Sequence, residues 1–252
     1  MNRHRSNSRM SAGCATLLAA AALALAGCSS GSSTSAASSS VSSPAGGSAT
    51  AGTSVGGSFA GTALFPVAVG NTWVYKVTAV GLSTGTATDK ITAVVPVAGG
   101  DQVTTTHQLN GTTAKETFLF GSDGSITTPL TSLGNATFKI NSGGIVWPSQ
   151  AQIDSGQPHT STIAITTTIA GQTRNVTTHV TVLGAGPATV TVPAGTYHAT
   201  VVEDTLAEKI AGISVSIHIR TWLVRGIGPV KSEVTTNGTT VSGEELTSFT
   251  RG

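Results

Sequence analysis

Ile213, Val215, Ile217 and Ile219 alternate without a break with Ser214, Ser216, His218 and Arg220. A repeat of two sends successive side chains to opposite faces of an extended strand, so this segment buries one face and wets the other. A helix would scatter the same aliphatics around its circumference. Weaker versions recur: Val176, Val180 and Val182 alternate in part with Thr177, His179 and Thr181, and Ile163, Ile165 and Ile169 share one face. Thr and Val dominate these stretches, as strands favour. Turn signals punctuate them at Gly99-Gly100, Asn110-Gly111, Ser122-Asp123-Gly124, Gly143-Gly144, Gly171-Gln172 and Asn237-Gly238. The last is a type I′ hairpin signal. Leu206 to Ala211 is the one short helical candidate. These patterns predict a mainly β fold: a single domain built on a curved antiparallel sheet, half-barrel or sandwich, of about ten to twelve strands. Residues 65–150 and 159–250 form its two halves.

The chain begins differently. Arg3, Arg5 and Arg9 precede an apolar run through Leu17, Leu18, Leu23 and Leu25, which ends at Leu25-Ala26-Gly27-Cys28. A positive start, a short apolar centre and small residues before a cysteine are the parts of a lipoprotein signal. The run is too short for a comfortable membrane span. Leu25, Ala26 and Gly27 are expected to be the peptidase recognition residues. Cys28 is expected to take a thioether-linked diacylglycerol and become the new N-terminus. Each buried methylene contributes about 0.8 kcal/mol, so two acyl chains hold a protein stably at a membrane surface where one binds reversibly.

This divides the chain into a signal peptide over residues 1–27, a lipidated tether over 28–60 and a β domain over 61–252. From Ser29 to about Ser58 the sequence is almost wholly Ser, Gly, Ala and Thr, with no apolar face to bury. About 30 such residues reach ~30 Å on average. Charge follows the same division. The chain has 13 Lys and Arg against 11 Asp and Glu, and losing Arg3, Arg5 and Arg9 leaves 10 against 11. The mature protein is therefore close to neutral and has no basic cluster, which gives no footing to a nucleic-acid partner. Both cysteines are spoken for, Cys14 in the signal and Cys28 in the anchor, so no disulfide is expected in the domain.

Catalytic motifs are absent from the sequence. It has no G-x-S-x-G elbow, no H-E-x-x-H pair, no phosphate-binding G-x-x-x-x-G-K loop and no strand followed by G-x-G-x-x-G. No catalytic residue, metal site or cofactor is expected. His179 and His218 fall on the polar faces of their strands and read as solvent-facing, unless the strands are neighbours and bring them together. Glu203, Asp204 and Glu208 form the only acidic cluster. Glu203 and Asp204 would point to opposite sheet faces and mark the wet end of a strand starting near Tyr197. Aromatic residues are few: Trp73 and Tyr75 share a face of the first strand, Trp147 precedes Pro148, and Trp222 follows the most regular strand. Such residues anchor a core. The alternative use of Trp73, Tyr75, Trp147 and Trp222 is to line an apolar ligand pocket.

Three stretches also carry a resemblance. Phe65-Pro66-Val67-Ala68-Val69-Gly70-Asn71-Thr72-Trp73-Val74-Tyr75 is similar to an F-P-L-x-x-G-N-x-W-x-Y motif. Val192-Pro193-Ala194-Gly195-Thr196-Tyr197 matches V-P-A-G-T-[FY], and Gly226-Ile227-Gly228-Pro229-Val230-Lys231 matches G-[IV]-G-x-V-K. In this order they resemble a family of uncharacterised bacterial secreted proteins and lipoproteins. The resemblance implies a curved antiparallel sheet akin to the LolA/LolB-like carriers of lipid or lipidated cargo. It supplies no catalytic residues. Pro229 stands where the family has an apolar residue, so regular strand pairing is not expected there.

Together these readings lead to a non-enzymatic lipoprotein, held by Cys28 on the extracytoplasmic face of the cell membrane, that binds or carries a hydrophobic ligand or envelope component. The alternative is a structural or protein-interaction module of the envelope. A hydrolase built on Glu203, Asp204 or the histidines comes third.

Overall fold

Gly70 and Asn71 steer the chain into its first strand. Gly70 adopts a φ of +95°, a region open to glycine, and the Asn71 side-chain amide donates to the Pro66 carbonyl at 2.7 Å. The computed structural model describes residues 64–80, 84–109, 111–128, 138–142, 144–169, 172–210 and 213–252. The signal segment, Cys28 and the tether lie outside the described residues.

The first half supplies β1 (Thr72–Ala79), β2 (Gly85–Val97), β3 (Gly100–Leu109), β4 (Thr112–Gly121), β5 (Ile126–Thr128), β6 (Phe138–Ser142) and β7 (Ile145–Trp147). A helix α1 (Gln150–Asp154) leads to β8 (His159–Ile169), β9 (Gln172–Val192), β10 (Gly195–Ile210), β11 (Ile213–Val224), β12 (Gly228–Thr236) and β13 (Thr239–Thr250). All thirteen strands join one sheet, in the order β6-β8-β9-β10-β11-β12-β13-β1-β2-β3-β4-β5-β7. Every pairing is antiparallel.

The order of the edges gives the sheet its shape. β6 and β7 occupy opposite edges, yet only residues 143–144 separate Ser142 from Ile145. Three trans peptide units span at most ~11 Å, so the sheet must curl until its edges nearly meet. The result is a nearly closed barrel. The two halves therefore belong to a single sheet, which rules out the sandwich form of the expectation.

Bulges bend this barrel along one line. The register shifts between Val201 and Val202 of β10, opposite Gly186 and Gly184 of β9. It shifts again between Trp222 and Leu223 of β11, opposite Lys231 and Pro229 of β12. Bulges bend a strand and sharpen its twist, and neighbouring bulges in register make a corner across β9 to β12. Pro229 thus sits where regular pairing breaks, as its sequence context implied. Burial changes phase at the corner: Ala199 and Val201 are buried before it, Val202, Asp204 and Leu206 after it. Beyond the corner the β9–β10 hairpin reaches β13, where Ala194 N–H donates to the Leu246 carbonyl at 2.9 Å.

Period two holds over residues 216–220 of β11 and ends at the corner, where Thr221 to Val224 are all buried. Ile217 and Ile219 are buried, and His218 and Arg220 are exposed. Asn237 and Gly238 take φ of +47° and +82° between paired Thr236 and Thr239, the two positive values that a type I′ turn requires. One expectation fails. Leu206 to Ile210 is the continuation of β10, because its alternation with cross-strand partners Val180 and Ile217 outweighs local helix preference. The helix found among the described residues, α1, is held by a capping box in which Ser149 and Gln152 bond each other's backbone N–H.

Candidate functional site

Trp73 and Tyr75 project from one face of β1 into the barrel, and both are buried. Their polar ends reach the turn between β11 and β12 and the start of β12. Trp73 Nε1–H donates to the Ile227 carbonyl at 2.5 Å, and Tyr75 O–H donates to the Pro229 carbonyl at 3.1 Å. With these ends satisfied, the rings are left to apolar contact. Trp73 stacks on Phe249 at 5.2 Å. Phe65 meets Trp147 edge to face at 5.5 Å and Phe120 at 6.2 Å.

These rings wall a cavity of about 110 Å³, open on one side, whose lining includes Phe65, Trp73, Tyr75, Phe118, Phe120 and Trp147. At ~30 Å³ per water it has room for three or four. Pockets for drug-sized ligands run to ~300–1,000 Å³, so this one takes a slender group and not a whole lipid. Of the four aromatics singled out in the sequence, Trp73, Tyr75 and Trp147 face the cavity together. Trp222 does not line it. Trp222 sits at the bulge corner, with the Arg220 guanidinium and the Lys231 ammonium each 5.1 Å from its ring centre. The bulge that ends the regular alternation of β11 puts it there.

Charged groups intrude on the apolar wall. Asp89 and Glu244 both line the cavity. Asp89 Oδ1 lies 2.5 Å from His107 Nδ1 across β2 and β3, while Asp89 Oδ2 has no hydrogen-bond partner. Glu116 of β4 is buried close by. Burial alone would lower the His107 pKa, but the bond to Asp89, its charge and the charges of Glu244 and Glu116 raise it above the ordinary imidazole value. Burial pushes the Glu116 carboxyl up to about 7; the Asp89 charge adds to this and His107 works against it.

A second acid lies deeper. Asp204 of β10 is completely buried, and neither of its oxygens has a hydrogen-bond partner. Burial raises its pKa well above the carboxylate range, with the Trp147 indole acting in the opposite sense. The expected wet strand end is therefore mistaken: β10 runs on to Ile210, and Asp204 faces the core. Glu203 does point the other way, to Arg220 at 3.3 Å on the exposed face. The side chain of Glu208 lies outside those described.

His179 and His218 are not brought together, because β10 separates β9 from β11. His179 bonds Thr162 at 3.4 Å, and His218 bonds Thr205 at 3.1 Å and Ser216 at 3.0 Å. Among the described residues no group of three His, Cys, Asp or Glu is placed to hold a metal ion. Asp89, His107, Glu116 and Glu244 were missed in the sequence. The signal was available: Asp89 falls in phase with Ala87 and Ile91, and His107 with Val103 and Leu109, along strands that bury alternate residues.

A family model described as DUF3108-like matches residues 69–246, which span most of the barrel. None of the curated proteins matches the chain. Among solved structures, a candidate exported protein with a YmcC-like fold from Bacteroides fragilis superposes with a TM-score of 0.52 at 16% identity, covering 74% of this chain and 98% of that one. A candidate lipoprotein from Parabacteroides distasonis gives 0.53 at 16% identity over the same shares. The hypothetical lipoprotein YmcC from Escherichia coli is 9% identical over 73% of this chain and 86% of its own, with a TM-score of 0.36. The first two share the fold.

Proposed function

The chain belongs to the DUF3108-like family, and from that premise we propose that it is a non-enzymatic lipoprotein whose barrel binds a slender apolar group in the aromatic-walled cavity. Cys28 carries the lipid anchor, residues 1–27 are removed, and the tether over 28–60 holds the barrel off the extracytoplasmic face of the cell membrane. The likeness in fold to proteins described as exported or as a lipoprotein supports this placement. The observation that carries the binding reading is the cavity itself. The recess is open to solvent on one side, so its aromatic wall meets water there, and covering apolar surface is favourable. An apolar occupant of matching shape displaces that water and takes the wall out of solvent.

NMR titration of the purified chain with n-butanol tests the reading. Saturable shifts confined to the Trp73 and Trp147 indole signals are expected. No saturable shift at either indole would remove the binding claim.

A further inference from the structure

The end of the barrel where the chain enters leaves apolar side chains in the open. Thr72, the first residue of β1, pairs with Lys90 of β2. From Ala93 to Val97, β2 runs on past β1, paired with β3 alone. At the tip of this hairpin Val95, Pro96, Val97 and Ala98 are all exposed, Val95 by 49% and Val97 by 40%. Val69, in the turn that feeds β1, is 54% exposed at the same end. Among the described residues one other large aliphatic is exposed, Val80, and it lies past the far end of β1. Single exposed aliphatics are ordinary. An unbroken run on a projecting hairpin marks a surface that something covers.

Two observations point to what covers it. Leu64 is buried at this same end, where its carbonyl and Pro66 lie beside Gly228, the first residue of β12. The tether therefore joins the barrel here. Cys28 lies 36 residues before Leu64, a flexible reach of ~30–36 Å. Such a tether gives the barrel clearance and also lets this end return to the bilayer. Charge is the second observation. Arg225, in the β11–β12 turn, and Arg251, just past β13, are exposed on the same rim. Among the described residues no carboxylate forms an ion pair with either. Asp101 and Asp123 also stand on this rim, Asp123 accepting from the Ser125 N–H and hydroxyl. Apolar side chains beside free guanidinium groups match a bilayer surface with anionic headgroups, where buried apolar area and charge attraction add.

We propose that this rim is a membrane-docking surface. Val95, Pro96 and Val97, with Val69, enter the headgroup boundary of the bilayer, and Arg225 and Arg251 meet anionic phosphates. This rests on the reading that Cys28 is acylated, and it adds that the anchored barrel stands on the bilayer by its entry end. The segment Phe65 to Val67, which lines the cavity, lies at this end, so docking sets that wall near the bilayer.

The full chain, purified with its acyl anchor and placed in vesicles of phosphatidylcholine and phosphatidylglycerol, tests the proposal. Val97→Cys and Val80→Cys each receive a nitrobenzoxadiazole label, and lipids spin-labelled near the headgroup act as quenchers. Cys14 leaves with the signal and the Cys28 sulfur is acylated, so each label has one site. The Val97→Cys label is expected to be quenched about threefold more than the Val80→Cys label, although Val80 is the more exposed at 73%. Adding Val95→Asp to Val97→Cys should remove about half of that quenching, with an unchanged Tm reporting an intact fold. Equal quenching at both positions, in chains that still float with the vesicles, would overturn docking and leave the anchor standing. Chains that do not float would remove the anchor and the docking with it. A Val97→Cys label shielded from water yet not quenched by lipid would overturn the bilayer as partner and assign the rim to a protein.

Discussion

Asp89 and His107 face each other as direct partners on β2 and β3, with Oδ1 and Nδ1 2.5 Å apart inside the barrel wall. Their pairing ties stability to pH. The raised His107 pKa means that its contribution is complete below the unfolded value near 6.5 and is lost as pH rises through the folded value. Glu116 acts in the same sense by a different route. Unfolded, it ionises near 4.5; folded, near 7. Between those values the folded state holds the extra proton, so stability falls as pH rises, by at most about 3 kcal/mol.

The Tm should therefore drop between pH 5 and pH 8, and Glu116→Gln should flatten that drop while changing little at pH 5. Thermal melts of both forms across this range measure it. A Tm rising toward pH 8 would contradict the sign for both groups.

Asp204 leads to a second expectation. Its carboxyl is buried between Val182 and Ile219 on the adjoining strands, short of full hydrogen-bond geometry with any donor, the Trp147 indole N–H being the one that opposes the rise in its pKa. Its folded pKa is raised, so its penalty grows as pH climbs above the unfolded value near 3.8. A buried polar group without a partner costs about 1–3 kcal/mol. Asp204→Val should remove that cost and suit the strand, raising the denaturation midpoint by an amount equal to about 1–3 kcal/mol. A destabilised Asp204→Val protein would mean that the carboxyl is held by contacts of its own.

Much of this architecture was legible, for reasons visible in particular residues. The period-two pattern of Ile217 and Ile219 against His218 and Arg220 records a strand with one face in a core. The turn pairs, Asn237-Gly238 among them, fall at strand ends because only certain residues accept positive φ. What escaped was long-range. Gly143-Gly144 reads as a hairpin turn, yet it joins β6 and β7 at opposite sheet edges, a relationship that no local pattern encodes. The helix α1 escaped because a five-residue helix has too few positions to show a period. The buried acids are hidden for another reason: a carboxylate in a strand ordinarily marks the wet face. Asp89 and Asp204 keep the phase of their apolar neighbours, and phase was the better guide.

Gly184 offers a test of how α1 is seated. A Cβ there would overlap the Ile153 carbonyl, whereas a Cβ at Gly186 meets nothing within 4 Å. Ile153 is the buried residue of α1 and joins the core with Ile163, Val180 and Val182. Gly184→Ala must push α1 off β9 and, with backbone as the obstacle, should cost about 3 kcal/mol, the upper end for overpacked cores. Gly186→Ala should cost only the strain of its φ of +86°, roughly 1–2 kcal/mol. Denaturant unfolding of the two variants compares them directly. Equal losses would show that α1 adapts to the added methyl.

Anchoring is tested at Cys28. The diacylglycerol thioether needs the sulfur, and nothing else in Leu25-Ala26-Gly27-Cys28 can accept it. Two acyl chains hold a protein at a bilayer where the tether, almost wholly Ser, Gly, Ala and Thr, has no apolar periodicity of its own to insert. The barrel adds no helix long and apolar enough to cross a membrane among the described residues. Cys28→Ala should accordingly leave the chain unacylated, and membrane fractions should show it either released or retained only as the uncleaved precursor. Mass spectrometry of the N-terminal peptide distinguishes those two forms. A processed, unacylated Cys28→Ala protein that stays with the membrane as fully as wild type would place the anchor in the barrel surface and not in the lipid.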